Sequence, residues 1–142
     1  MTRSVILVAA SRVLMPLLLL YALFLLWRGH NAPGGGFVGG LVAASAFVLY
    51  SLTAGVDASR QALRVDPLTL LSLGLGVALL SGIPGLLAGG NFMTALWGTG
   101  EFGDLHLTLG TPLLFDVGVF LAVLGVVLTI VFTLAEAARA EE

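Results

Sequence analysis

The stretch Gly29-His-Asn-Ala-Pro-Gly-Gly-Gly-Phe-Val-Gly-Gly40, called the hinge below, separates two long apolar runs. It holds six of the 19 glycines and one of the five prolines. Pro33 has a fixed φ and no backbone N–H, and the glycines after it can reach φ values that other residues avoid. The hinge is therefore predicted to end one helix, turn the backbone sharply and begin another.

The composition around the hinge is typical of a membrane protein. Of the 142 residues, 58% are hydrophobic and 10% are charged, whereas a soluble domain is about half apolar and about a quarter charged. A spanning helix needs about 20 mostly apolar residues, and four runs approach or exceed that length, at residues 5–27, 37–54, 68–90 and 112–135. We predict an all-α integral membrane protein whose residues 1–142 form one domain with four transmembrane helices.

Turn and cap residues refine these helices. Asp66-Pro67 and Thr111-Pro112 are typical helix starts, with the first residue as N-cap and proline at the first helical position. Pro84 interrupts the third run, so that helix is predicted either to end near Ser81 or to bend there. Strict apolar–polar alternation is not apparent, which argues against a β-barrel.

The arginines predict the orientation in the membrane. With four spans, both chain ends and residues 55–67 lie on one side, which then carries Arg3, Arg60, Arg64 and Arg139. The other side carries Arg28 together with Glu101, Asp104 and His106. The positive-inside rule therefore predicts cytoplasmic N- and C-termini. Arg12, inside the first run, is expected either to reach back to the cytoplasmic surface or to be paired within the protein.

Several functional classes find no support. The chain has no cysteine, its two histidines are far apart, and its arginines do not cluster, so no metal site, cofactor or nucleic-acid partner is expected. Gly34-x-Gly36-x-x-Gly39 has the letters of a dinucleotide-binding fingerprint, but no strand of a βαβ unit precedes it. Since a nucleophile motif is also missing, we expect no enzyme.

Small residues in the hinge region instead predict close helix packing. Gly36, Gly40 and Ala44 recur at four-residue spacing on one helical face, with Gly39 and Ala43 beside them. Such a face lets a second helix approach closely and is buried against protein rather than lipid. Gly85 and Gly89 repeat the spacing in the third run and are predicted to pack in the same way.

Three ionisable residues are candidates for function. Asp116 is an acidic residue inside an apolar run, where it serves either as a proton or cation relay or as a carboxylate that pairs with an arginine or caps a helix. His30 would titrate near neutral pH, but it is more simply explained as capping the carbonyls at the end of the first helix. His106, near Glu101 and Asp104, is expected in a solvated acidic loop.

Two motifs resemble a known family. The run Arg28-Gly-His-Asn-Ala-Pro-Gly-Gly-Gly-Phe-Val-Gly-Gly-Leu41 resembles the B subunit of Mrp-type (Mnh/Sha) cation/proton antiporters, and Gly110-Thr-Pro-Leu-Leu-Phe-Asp-Val-Gly-Val-Phe120 is similar to that family's second signature. The resemblance implies an accessory subunit of a hetero-oligomeric complex that exchanges Na⁺ for protons across the bacterial cytoplasmic membrane. Its implied partners are the other antiporter subunits and membrane lipid. The related subunit of membrane-bound hydrogenases shares the first motif.

The resemblance also implies functional residues. Asp116 and His30 become candidates for a cation path through the complex. The hinge becomes a structural and partner-docking motif, formed by Gly29, Asn31, Pro33, Gly34, Gly35, Gly36, Phe37, Gly39 and Gly40. A purely structural assembly subunit and a free-standing small transporter are the competing interpretations. The free-standing transporter is less favoured, because one charge within a span is little for a coupled-transport site.

Overall fold

The computed structural model describes residues 4–29, 33–102 and 105–141, with residues 99–102 and 105–109 described through their backbone alone. Within these ranges, four helical stretches are long and apolar enough to cross a membrane, as predicted. The elements in chain order are α1 (Val5–Arg28), α2 (Gly36–Ala54), α3 (Val56–Leu63), α4 (Pro67–Leu80), α5 (Ile83–Leu87), β1 (Trp97–Phe102), β2 (Leu105–Gly110) and α6 (Thr111–Ala140). Their order fits a mostly helical membrane protein.

One of the two predicted helix starts is confirmed, and the other is capped by a different residue from the one predicted. The backbone N–H of Leu68 donates to Asp66 Oδ2 over 3.1 Å, with Pro67 as the first residue of α4, so this prediction is confirmed. Helix α6 instead has Gly110 as its N-cap. The Thr111 hydroxyl accepts from the backbone N–H of Leu96 over 3.1 Å, so it joins α6 to the preceding segment rather than capping the helix.

The third span is a broken helix. Residues 55–67, predicted as a loop, contain α3, and the residue that follows this helix, Arg64, has a left-handed conformation with φ of 64°. Helix α4 has 14 residues, which is about 21 Å and too short to cross the membrane alone. Ser81 and Gly82 keep right-handed helical angles and lead into α5. Helix α4 therefore ends next to Ser81, which is one of the two predicted alternatives, and the short helix α5 follows it.

The segment after α5 contradicts the sequence prediction. Strands β1 and β2 pair antiparallel, with Trp97 opposite Gly110 and Phe102 opposite Leu105. The predicted acidic loop around Glu101 is therefore part of a hairpin, which adds a short two-stranded sheet to a fold that is otherwise helical, as predicted. Leu105-His-Leu-Thr-Leu109 does alternate between apolar and polar residues, and Gly-Asp between two strands is a recognised hairpin signal.

The spanning helices form a row in the order α1, α2, α6, α4. The buried core lies mainly along the central pair, α2 and α6, where Ala43 and Phe47 meet Leu124, Leu128 and Phe132. Because a row has two open faces, large apolar side chains remain exposed on every spanning helix. On α1 they include Val13, Leu17, Leu20, Tyr21 and Phe24, and on α4 they include Leu73, Leu75 and Leu79.

Candidate functional site at the glycine-rich hinge

The hinge closes back onto the end of α1. The carbonyl oxygen of Leu25 accepts hydrogen bonds from the backbone N–H of Gly29 over 3.1 Å and of Gly35 over 2.9 Å. Gly35 has φ of 98°, which lies in the region that L side chains rarely adopt. Glycine at this position therefore lets the chain return to the end of α1 and begin α2 at the next residue, so the hinge joins the two helices as the sequence predicted.

Asp116 lies directly against this turn. It is partly buried in the first turns of α6. A Cβ placed on Gly35 would be 3.6 Å from both carboxylate oxygens of Asp116. A Cβ on the next residue, Gly36, would collide with the backbone carbonyl oxygen of Asp116. The two motifs, far apart in sequence, thus meet at one end of the bundle and place a carboxylate beside the hinge backbone.

Glycines extend this close approach along α2. A Cβ on Gly39 would be 2.8 Å from the carbonyl oxygen of Ala22 in α1. On Gly40 it would be 2.9 Å from the carbonyl oxygen of Phe120 and from Cβ of Val123 in α6. The predicted face of small residues is therefore confirmed: Gly36, Gly39, Gly40, Ala43 and Ala44 are all buried. It packs α2 against two helices of the same chain.

The glycines of the third span behave differently from the prediction. Gly85 is buried, but against Thr94 of its own chain, whose carbonyl oxygen would lie 2.6 Å from a Cβ. Gly89 is exposed with φ of 82° and nothing within 4 Å of a Cβ, so it makes no close packing contact with the described part of this chain. Its role is to turn the backbone after α5.

A second close contact was missed in the sequence. Gly74 of α4 faces Gly118 and Ala122 of α6, so that a Cβ on Gly74 would be 2.6 Å from the carbonyl oxygen of Gly118. Gly125 meets the first turn of α4, where the carbonyl oxygen of Pro67 would be 2.6 Å from its Cβ. The available signal was the seven-residue spacing of Gly118 and Gly125, which places both on one face of a helix.

The other end of the bundle carries ion pairs. Arg60 of α3 contacts Glu136 of α6, with Nε 2.9 Å from Oε1, and Asp66, with Nη1 3.4 Å from Oδ1. Its guanidinium also lies over the ring of Phe132, 5.2 Å from the centroid. Arg139 pairs with Asp57 over 3.5 Å. The paired side chains are 34–82% exposed, so each pair contributes about 1 kcal/mol or less, and the pairs mainly join α3 to the end of α6.

The remaining candidates divide between described and undescribed positions. Pro33, Gly34 and Phe37 surround the turn, and the side chain of Phe37 is 59% exposed. His30 and Asn31 lie outside the described residues, and so does the side chain of His106. Across the described ranges, no group of three or more histidine, aspartate or glutamate side chains is arranged to hold a metal ion.

Comparison with known proteins places nearly the whole chain in one group. The family described as a domain related to the MnhB subunit of Na⁺/H⁺ antiporters matches residues 6–129. The chain is 36% identical over 138 residues to the B subunit of the Na⁺/H⁺ antiporter of Alkalihalophilus pseudofirmus, covering 95% of this chain and 94% of that one. It is 38% identical to the corresponding B subunit from Bacillus subtilis over 136 residues, covering 95% of each chain.

A solved structure has the same fold. It is the Mrp complex from Dietzia sp. DQ12-45-1b, one chain of which matches with a TM-score of 0.77 and 39% identity. The match covers 92% of this chain and 14% of that one, so this chain corresponds to a small part of a much longer polypeptide there.

Proposed function

The chain belongs to the family related to the MnhB subunit of Na⁺/H⁺ antiporters, and we infer from this that it is an accessory subunit of a hetero-oligomeric Na⁺/H⁺ antiporter in the bacterial cytoplasmic membrane. The observation that carries the inference is the match to two antiporter B subunits along 94–95% of their length. Its partners are the other antiporter subunits. The proposed role is ion transport within the complex rather than an enzymatic reaction.

An accessory role also suits the residues and their arrangement. The chain contains no lysine, and its spanning helices expose apolar faces. A row of helices with two open faces offers surface to partner subunits. Purification of the tagged chain from native membranes in mild detergent should therefore recover several polytopic antiporter subunits. Recovery of hydrogenase catalytic subunits would assign the chain to the related hydrogenase complex, and a lone chain would favour a free-standing transporter.

We further propose that Asp116 contributes to the cation path of the complex. Its support is the partly buried carboxylate in the first turns of α6, set against the hinge backbone at Gly35. An ionisable group at membrane depth usually faces protein or water and marks an ion pathway. The proposal for His30 as a second group in this path rests on the sequence alone, because this residue lies outside the described ranges.

Asp116→Asn is the variant that tests this role, because it keeps the shape of the side chain and removes its charge. Loss of a relay group raises the barrier by more than about 1.4 kcal/mol, which is about tenfold in rate. We therefore expect the assembled Asp116→Asn complex to lose at least about tenfold of its Na⁺-dependent proton exchange in membrane vesicles. An assembled variant with unchanged exchange would leave the purely structural role as the better explanation.

The hinge itself is proposed to dock a partner subunit. Phe37 opens the first turn of α2 with its side chain 59% exposed, and the neighbouring Val38 is 40% exposed. Both follow directly on Gly36, where the backbone of α2 approaches α6 closely. In the same pull-down, Phe37→Ala should recover fewer partner subunits than wild type, whereas Leu79→Ala, on the exposed side of α4, serves as the matched control.

A further inference from the structure

A polar groove lies at the junction of α3 and α4, at the end of the bundle where the ion pairs form. Its volume is about 360 Å³. The described residues that line it are Arg60, Gln61, Arg64, Val65, Asp66 and Pro67. Helix α3 is fixed to the bundle through Val56 and Ser59, which are buried, and its polar side chains border the groove. This cavity is called the Arg64 groove below.

The Arg64 groove carries a net positive charge. Two arginines and one aspartate line it, which gives a formal charge of +1. The aspartate is already engaged, because Asp66 accepts from the backbone N–H of Leu68 over 3.1 Å and pairs with Nη1 of Arg60 over 3.4 Å. Arg64 is exposed and belongs to none of the ion pairs formed among the described residues. Its guanidinium is therefore the charge that the groove offers to an anion.

The Arg64 groove adjoins an apolar surface on α4. A second groove of about 330 Å³, called the α4 groove, begins at Asp66 and continues along this helix. It is lined by Asp66, Leu68, Thr69, Ser72 and Leu73. The side chains of Leu68 and Leu73 are 57% and 55% exposed, and the Ser72 hydroxyl is satisfied within the helix by the carbonyl of Leu68 over 2.9 Å. Exposed leucines thus follow directly on the charged groove, where the apolar part of the span begins.

We propose that the Arg64 groove binds the phosphate of an anionic phospholipid, with an acyl chain lying in the α4 groove. The inference goes beyond the proposed function, because it requires only that the chain spans a membrane. A phospholipid carries an anionic phosphate next to hydrocarbon, so one molecule matches both grooves in charge and polarity. Arginine binds phosphate through two parallel N–H donors, and basic pockets beside spanning helices hold anionic headgroups. The amide of Gln61 adds a donor for the rest of the headgroup.

Photoactivatable phospholipids test this site in the tagged chain purified with its bound partners and placed in nanodiscs. Phosphatidylglycerol and phosphatidylcholine, each with a diazirine in the headgroup, are compared at equal content. After irradiation, the tagged chain is isolated under denaturing conditions and the label is mapped by mass spectrometry. Phosphatidylglycerol should label residues 61–68 about fivefold more than phosphatidylcholine, the preference expected for one basic side chain at an anionic membrane surface.

Variants of Arg64 separate the effect of its charge from that of its backbone. Arg64→Gln should lower labelling by phosphatidylglycerol to the level of phosphatidylcholine, whereas Arg64→Lys, which keeps the charge, should retain most of it. Arg64→Asn should lose as much as Arg64→Gln, although asparagine tolerates the φ of 64° at this position well. Arg139→Gln is the matched control, because it removes an exposed charge at the same end of the bundle outside the groove and should leave labelling unchanged.

Three results would overturn the proposal. Equal labelling by the two lipids, or undiminished labelling of Arg64→Gln, would show that the groove does not select an anionic headgroup. Displacement of the label by inorganic phosphate, but not by unlabelled phosphatidylglycerol, would assign the groove to a soluble anion. Label from neither lipid would assign it to a partner subunit. The recovery of antiporter subunits is measured separately, so failure of the proposed function and failure of this proposal are distinguishable.

Discussion

Neighbouring glycines in the hinge are required for different physical reasons. Gly35 has room for a Cβ, which would meet the carboxylate of Asp116 at an ordinary 3.6 Å, but its φ of 98° disfavours any side chain. Gly36 is the first residue of α2, and a Cβ there would collide with the backbone of Asp116 and approach the Phe120 nitrogen to 3.0 Å. Gly35 is therefore required for the turn, and Gly36 is required for the close approach of α2 to α6.

The close contact at Gly36 predicts that alanine has opposite effects on stability at this glycine and at Gly76 of α4, which makes no such contact. Gly36→Ala forces α2 and α6 apart, at a cost of about 1–3 kcal/mol, so it should lower the thermal unfolding midpoint of the detergent-solubilised complex. Gly76→Ala is the control, because nothing lies within 4 Å of its Cβ and alanine favours a helix by up to about 1 kcal/mol. It should leave the midpoint unchanged or raise it. Equal midpoints for the two variants would contradict the close contact at Gly36.

At the scale of elements, the sequence predicted the helices better than the connections between them. Long apolar runs bounded by proline and glycine identify spanning helices directly, and Asp66 was correctly expected as the N-cap of α4. Such runs do not reveal where a spanning helix is interrupted or where a further short helix forms. Helix α3 mixes charged and apolar residues and is short, so nothing in its composition separated it from a loop. Its packing on α2, where the Ser59 hydroxyl donates to the carbonyl of Phe47 over 2.9 Å, is a tertiary contact.

The hairpin shows why short strands escape notice in a membrane protein. Its alternation spans only Leu105 to Leu109, and a two-stranded hairpin is marginally stable alone in water. Here it is joined to the bundle at its base, where the N–H of Thr111 donates to the carbonyl of Leu96 over 3.0 Å. That support comes from α6 and the segment before β1, which the local sequence does not reveal.

For the whole molecule, the sequence could not predict the order of the helices, but it did predict one of the two surfaces at which the two motifs meet. Apolar surfaces look alike whether they face lipid or protein, so the order α1, α2, α6, α4 could not be predicted. The pattern of Gly36 and Gly40 did predict a buried face, although it could not say that Asp116 and Phe120 lie opposite. The resemblance singled out both motifs, and the contact between Gly35 and Asp116 is what the structure adds.

The arrangement also sharpens the predicted orientation in the membrane, which stays a prediction. Arg60, Arg64 and Arg139 lie at the end of the bundle where the α3–α6 ion pairs form, and Arg28 lies at the other end beside the hinge. The positive-inside rule then places the ion-paired end, which includes the start of α1 and the end of α6, in the cytoplasm.

Cysteine labelling in whole cells can test this orientation, since any introduced cysteine is unique in the chain. Asn91→Cys, exposed between α5 and β1, should react with a membrane-impermeant maleimide added to intact cells. Glu141→Cys, exposed after α6, should react only after the cells are permeabilised. Both positions are exposed, so the difference reports the side of the membrane rather than burial. The reverse pattern would place the arginine-rich end outside and would show that partner subunits, rather than the charges of this chain, determine its orientation.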